Sequence, residues 1–120
     1  MRNLILAFVA VIAICSCKSQ YELLLNSNDS DAKYEAAFEL FNNGKYTKAA
    51  TMFESLAMLT DGTERDDTVR YYWGLSNYKA KDYYTADTNF ETFVGHYPRS
   101  PFASEARYLR LDCLYLQTLR

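Results

Sequence analysis

Tyr72-Trp73-Gly74-Leu75-Ser76-Asn77-Tyr78-Lys79-Ala80-Lys81-Asp82-Tyr83-Tyr84-Thr85-Ala86-Asp87-Thr88-Asn89-Phe90 is the stretch from which the fold can be read. A bulky residue beside a glycine, a polar break, an aromatic and then Ala-x3-Phe describe two helices joined by a tight turn. Glycine inside a helix is worse than alanine by roughly 0.8–1 kcal/mol, so Gly74 needs an offsetting reason. Close approach of a neighbouring helix supplies one, and Ala86 on the partner helix is small enough to allow it. Tyr83, Phe90 and Phe93 would then fill the groove between one helix pair and the next.

The stretch has a copy upstream. Gly44-Lys45-Tyr46 stands 37 positions before Lys81-Asp82-Tyr83, and Ala49, Phe53 and Leu56 stand 37 before Ala86, Phe90 and Phe93. Internal distances agree as well, because Ala37 to Ala49 and Gly74 to Ala86 are both 12. A helix pair cannot bury its apolar face alone, so two pairs of one design are expected to stack. The sequence predicts an all-α chain, and its two prolines and four glycines argue against a many-stranded sandwich.

Local signals divide the chain further. Tyr34, Ala37, Phe38 and Phe41 recur at i, i+3, i+4 and i+7 from a start near Asp31, one face of a helix. Asn42-Asn43-Gly44 stops that helix, with Gly44 free to turn left-handed. Asn28-Asp29-Ser30 matches a glycosylation sequon but reads as capping chemistry. The second helix ends near Thr60-Asp61-Gly62, and Glu64, Asp66 and Asp67 read as a solvated acidic loop. Pro98-Arg99-Ser100-Pro101 breaks the fourth helix, with Pro101 in the first turn of a fifth. Ala103, Ala106, Leu109, Cys113 and Leu116 share one face of that fifth helix, and Cys113 reads as a small buried hydrophobe. The expected organisation is a leader at 1–16, a tether at 17–30 with one helical turn over Tyr21 to Leu25, and repeats at 31–60 and 67–98. Residues 101–120 would be the first helix of a third repeat, apparently cut short.

The leader has a physical basis of its own. Met1-Arg2-Asn3 is a short positive start, and Leu4 to Ile14 is an apolar run of eleven residues. At ~1.5 Å per residue it covers roughly 16 Å, too short for a ~30 Å hydrocarbon core but right for a secretory leader. Ile14-Cys15-Ser16-Cys17 resembles the lipobox of bacterial lipoproteins. The resemblance implies cleavage after Ser16 and acylation of Cys17, where two or three chains, at ~0.8 kcal/mol per buried CH₂, make attachment permanent. Cys15 is the poorer acceptor, since Ile14 would fill the cleavage position. Lys18 in place of an Asp implies the outer membrane. The mature chain would carry 12 basic against 15 acidic residues. That leaves no electrostatic footprint for nucleic acid.

Nothing in the sequence assembles catalytic chemistry. His96 is the one histidine and sits at a helix end, where a cation suits the dipole. No cysteine or second histidine stands at metal-ligand spacing, so neither metal nor cofactor is expected. Asp29-Ser30-Asp31 reads as capping and Asp61-Gly62-Thr63 as a turn. Tyr71-Tyr72-Trp73 reads as packing, with a binding groove as the alternative.

Two family resemblances organise these observations. Trp73, Gly74, Tyr83, Ala86, Phe90 and Pro98 resemble the tetratricopeptide repeat, whose period is 34 residues with a closing proline. The first unit has Ala37 in the glycine place, Ala49 and Phe53 as its Ala-x3-Phe, no closing proline, and extra residues in the loop around 61–67. The resemblance implies an α-α superhelix with Ala37, Ala49, Phe53, Trp73, Gly74, Tyr83, Ala86, Phe90 and Pro98 as packing positions. The lipobox, Tyr21-Glu22-Leu23-Leu24-Leu25, Asp82-Tyr83-Tyr84 and His96-Tyr97-Pro98-Arg99-Ser100-Pro101-Phe102-Ala103 together resemble the N-terminal part of the BamD/YfiO family of outer-membrane assembly lipoproteins. That resemblance implies a non-enzymatic scaffold at the periplasmic face of the outer membrane. Its implied partners are a BamA-like barrel protein, other assembly-complex subunits and unfolded outer-membrane protein segments. Rival resemblances are a Tol-type periplasmic adaptor (CpoB/YbgF-like), disfavoured by the lipobox, and a SusD-like glycan-binding lipoprotein, which needs a far longer chain.

Overall fold

The computed structural model describes residues 20–119. Five helices follow a helical segment at 20–25: α1 Ser30–Asn42, α2 Tyr46–Thr60, α3 Asp66–Lys79, α4 Tyr83–His96 and α5 Ala103–Thr118. Substantial packing joins each helix to the next in sequence, α1 with α2, α2 with α3, α3 with α4, and α4 with α5. The result is a slab of 61 × 37 × 18 Å, an α-α superhelix of stacked antiparallel pairs. No strand occurs among the described residues.

The turns inside the two pairs have the same construction. Asn43 and Ala80 close α1 and α3, and the next residue is left-handed in each, Gly44 at φ 77° and Lys81 at φ 67°. The Lys45 N–H donates to the Leu40 carbonyl at 2.9 Å, and the Asp82 N–H donates to the Asn77 carbonyl at 2.9 Å. Both are the crossed hydrogen bonds that satisfy the last carbonyls of a helix. Asp29 caps α1, its carboxylate accepting from the Ala32 N–H at 3.1 Å, so the helix begins at Ser30.

Two hydrophobic clusters meet along α3. Ala37, Ala49, Met52, Phe53, Leu56 and Val69 make the first, and Tyr71, Ala86, Phe90, Phe93, Ala103, Ala106, Leu109 and Cys113 the second. Tyr72 belongs to the edge of both, with its ring centroid 6.0 Å from Phe53 and 6.1 Å from Phe102. The adjacent residues Tyr71 and Tyr72 therefore divide their contacts, as helix geometry requires.

Four expectations are corrected. The acidic stretch at 64–67 is not a solvated loop: α3 begins at Asp66, whose side chain is 1% exposed. Pro98 lies exposed in the turn after α4, so it ends a helix instead of filling the packed interior. Pro101 precedes α5 without entering it, because Phe102 is the N-cap and the helix starts at Ala103. The tether expected at 17–30 is packed where it is described: its helical turn, at 20–25, sets Tyr21, Leu24 and Leu25 on the first cluster.

Candidate partner-binding surface

The residues expected to pack are distributed in three ways. Ala37, Ala49, Phe53, Ala86 and Phe90 are 0% exposed. Trp73 and Tyr83 are half-buried at the margins of the first and second clusters, respectively. Gly74 is buried for the reason its sequence position suggested: a Cβ there would lie 2.7 Å from Phe90 Cε1 and 3.2 Å from Asn89 Cβ. The close neighbour is thus the Phe90 ring together with Asn89. Cys17 lies outside the described residues. Cys113 is buried, and burial, followed by the charges of Asp87 and Asp112, pushes its thiol up to about 11.

A shallow groove runs along α1. Tyr34 and Phe38 supply its apolar surface, Glu35 and Glu39 its acidic rim, and Asn42 and Asn43 one end, around a volume of ≈ 610 Å³. Aromatic rings hold its floor, with Tyr34 4.9 Å from Phe38 and Phe38 edge-on to Phe53 at 5.1 Å. The Arg65 guanidinium lies 4.6 Å over the Tyr34 ring and pairs with Asp31 at 2.8 Å. A groove of this kind receives apolar side chains of an extended or helical segment, and its rim favours basic neighbours. A second hollow, of ≈ 200 Å³, is lined by Arg70, Trp73 and Thr88. The Trp73 edge of the aromatic triplet thus borders surface while Tyr71 is core.

The joint between the pairs is polar and closed. Asp66 accepts from the Thr60 hydroxyl at 2.8 Å, from Arg70 Nε at 2.8 Å, and from the Tyr97 hydroxyl. Burial raises the Asp66 carboxyl, but the hydrogen bonds from Tyr97, Arg70 and Thr60, with the Arg70 charge, outweigh it and hold its pKa below the ordinary value. The same hydrogen bond, reinforced by burial, pushes Tyr97 up to about 12. Asp67 accepts from the Ser100 hydroxyl at 2.9 Å, adding a further link across the joint. The arrangement ties the end of α2, the start of α3 and the end of α4 into one unit. The buried Asp66 carboxylate is thus fully engaged by its neighbours.

A second polar latch secures the N-terminal segment. Lys33 is 3% exposed, and its Nζ donates to the Leu25 carbonyl at 2.9 Å and to Ser55 Oγ at 2.6 Å. Ser55 Oγ donates to the same carbonyl at 3.0 Å, and burial lowers the Lys33 pKa. The sequence reading missed this pair because nothing near Lys33 marks it as buried. It also missed the apolar stripe of α5, where Tyr108, Leu111, Tyr115 and Leu119 are 61–69% exposed. The 37-residue period gives no warning of it, since Tyr71, the equivalent of Tyr108, is 2% exposed.

Stacked helix pairs with grooves on their surface define a helical repeat fold. The model of one family, YfiO, described as an outer membrane lipoprotein, matches residues 26–120. The chain belongs to that family of BamD-type outer membrane lipoproteins. No curated protein and no solved structure matches it. No helix among the described residues is long and apolar enough to cross a membrane.

Proposed function

We propose that this lipoprotein is a non-catalytic scaffold in the assembly and insertion of β-barrel proteins, held at the periplasmic face of the outer membrane by acyl chains on Cys17. The single observation that carries this reading is the family match over residues 26–120, on a chain folded as stacked helix pairs. The α1 groove offers apolar surface to unfolded barrel segments. The exposed stripe of α5, at the repeat position of a first helix, offers a second apolar surface. BamA-like barrel proteins and other assembly subunits are the partners that the family implies.

Two experiments test this. Purification of the membrane-anchored protein should recover a BamA-like barrel protein; recovery of Tol components or of polysaccharide instead would replace the assembly role with an adaptor or glycan-binding one. Cys17→Ala should abolish incorporation of radiolabelled fatty acid, and persistent labelling would move the acceptor elsewhere.

A further inference from the structure

The lysines of this chain are separated in sequence and gathered in space. Lys45, Lys48, Lys79 and Lys81 are exposed and lie at the turns inside the helix pairs, all along one edge of the slab. Lys33, the other lysine among the described residues, is the buried latch. Contacts place the two turns side by side, because Lys79 Nζ lies 5.7 Å over the ring of Tyr46, the first residue of α2. The opposite edge, formed by the loops between pairs, carries Asp29, Asp31, Asp61, Glu64, Asp66, Asp67 and Glu105, against Arg65, Arg70, Arg99 and Arg107 as its cations. Carboxylates on the lysine edge are fewer: Asp82 caps α4 through the Thr85 N–H at 3.2 Å, Glu39 lies one turn back on α1, and exposed Glu22 follows Tyr21.

The first described residues lie at this same edge. Gln20 and Tyr21 share a groove of ≈ 320 Å³ with Asn43 and Lys45. The Tyr21 hydroxyl donates to the Lys48 carbonyl at 3.3 Å, while Lys48 Nζ lies 5.4 Å over the Tyr21 ring. From there the segment runs to Leu25, which the Lys33 latch fixes at the far end of α1. Only three residue steps separate Cys17 from Gln20, and an extended chain covers about 10 Å in that distance. A lipid on Cys17 would leave the packed segment no more slack than that.

We infer that the edge formed by the within-pair turns lies against an anionic lipid leaflet, with Lys45, Lys48 and Lys79 facing its phosphate headgroups. The inference rests on acylation of Cys17, which supplies the affinity; the lysines supply orientation. Basic side chains attract anionic lipid within a screening length of the surface, and a Lys–Tyr pair suits the interface because its ring is amphipathic. In this pose the acidic edge points away from the leaflet, and the long stack of pairs runs along the membrane instead of standing up from it. The α1 groove then opens beside the lipid surface.

The test uses the mature acylated protein in vesicles of phosphatidylethanolamine mixed with phosphatidylglycerol and headgroup nitroxide lipid. A fluorophore is placed at Asn43→Cys or at Glu64→Cys, each in a Cys113→Ala background with its helical signal checked. Quenching should be several-fold stronger at position 43 than at 64. Charge reversal by Lys45→Glu, Lys48→Glu and Lys79→Glu should erase that difference while fatty-acid labelling and vesicle flotation persist. Raising the salt should weaken it in the unreversed protein. Equal quenching at both positions would overturn the orientation, a difference untouched by charge reversal would overturn the role of the lysines in setting it, and either would leave the lipid anchor standing. Absence of fatty-acid labelling would overturn the anchor and the orientation together, so the two failures are distinguishable.

Discussion

Ala37 in the first helix pair and Gly74 in the second occupy matching seats, but the partner helix meets them differently. In the α1–α2 pair the seat carries a methyl group, and the Phe53 ring lies edge-on to Phe38 and stacked near Tyr72. In the α3–α4 pair the position of Phe38 is taken by Leu75, and the Phe90 ring leans into the space a Cβ at residue 74 would need. The pairs also differ in how they are joined to what precedes them. Lys33 ties the first pair to a backbone carbonyl, whereas the equivalent Arg70 of the second forms an ion pair with buried Asp66. One repeat plan thus tolerates two solutions at the same seats, provided volume and hydrogen bonding are conserved.

The largest expected effect tests whether the two phenylalanine seats are equivalent. Phe53→Ala and Phe90→Ala should each cost about 3–5 kcal/mol in urea unfolding, as buried aromatics do. A loss below about 1 kcal/mol at either one would break the equivalence, since that is the scale of a surface change.

Asp66→Asn should cost about 2–3 kcal/mol, because Arg70 and Tyr97 lose a charged acceptor. No such cost is expected from Asp67→Asn, where one hydroxyl link is involved. The lowered Asp66 pKa also fixes a pH dependence. Its contribution is complete above the ordinary carboxylate value of ~3.9 and is lost as pH falls through the depressed folded value. The variant should therefore lose part of the acid slope of the stability curve. Tyr97, raised to about 12, has the opposite sign, so stability falls as pH rises above the ordinary tyrosine value of ~10. An unchanged slope in both regions would detach the joint from stability.

Gly74→Ala gains helix propensity but drives a methyl into the Phe90 ring, and overpacking of this kind costs about 1–3 kcal/mol. Ala37→Gly should cost only about 1 kcal/mol, the propensity difference. If Gly74→Ala were instead stabilising, Phe90 would be free to move and the contrast between the seats would vanish. Gly44→Ala, at the left-handed residue of the turn after α1, should cost about 1–2 kcal/mol.

The parts that were legible in advance share a property. The Ala-x3-Phe spacing, the turn at Asn43-Gly44, the Asp29 cap and the need of Gly74 for a close neighbour all depend on residues a few positions apart. The parts that were missed depend on distant ones. Asp66 looks like any member of an acidic run until Tyr97, 31 positions away, and Thr60 are brought to it. Lys33 looks solvated until the Leu25 carbonyl needs a donor. Pro98 was placed in the packing set by its repeat position, yet a proline just after a helix ends it whether or not it is buried. The α1 groove and its acidic rim follow from which side of α1 remains uncovered, which no local pattern states.

The sequence by itself determined the helices, their pairing and the repeat, because periodicity and turn chemistry are written within short stretches of chain. Tertiary structure alone decided which charges are buried, how closely the N-terminal segment is held, and that exposed lysines from two separate turns share one edge. The physical reason is that burial and electrostatic environment are properties of neighbours in space. Those neighbours exist only after the pairs have stacked.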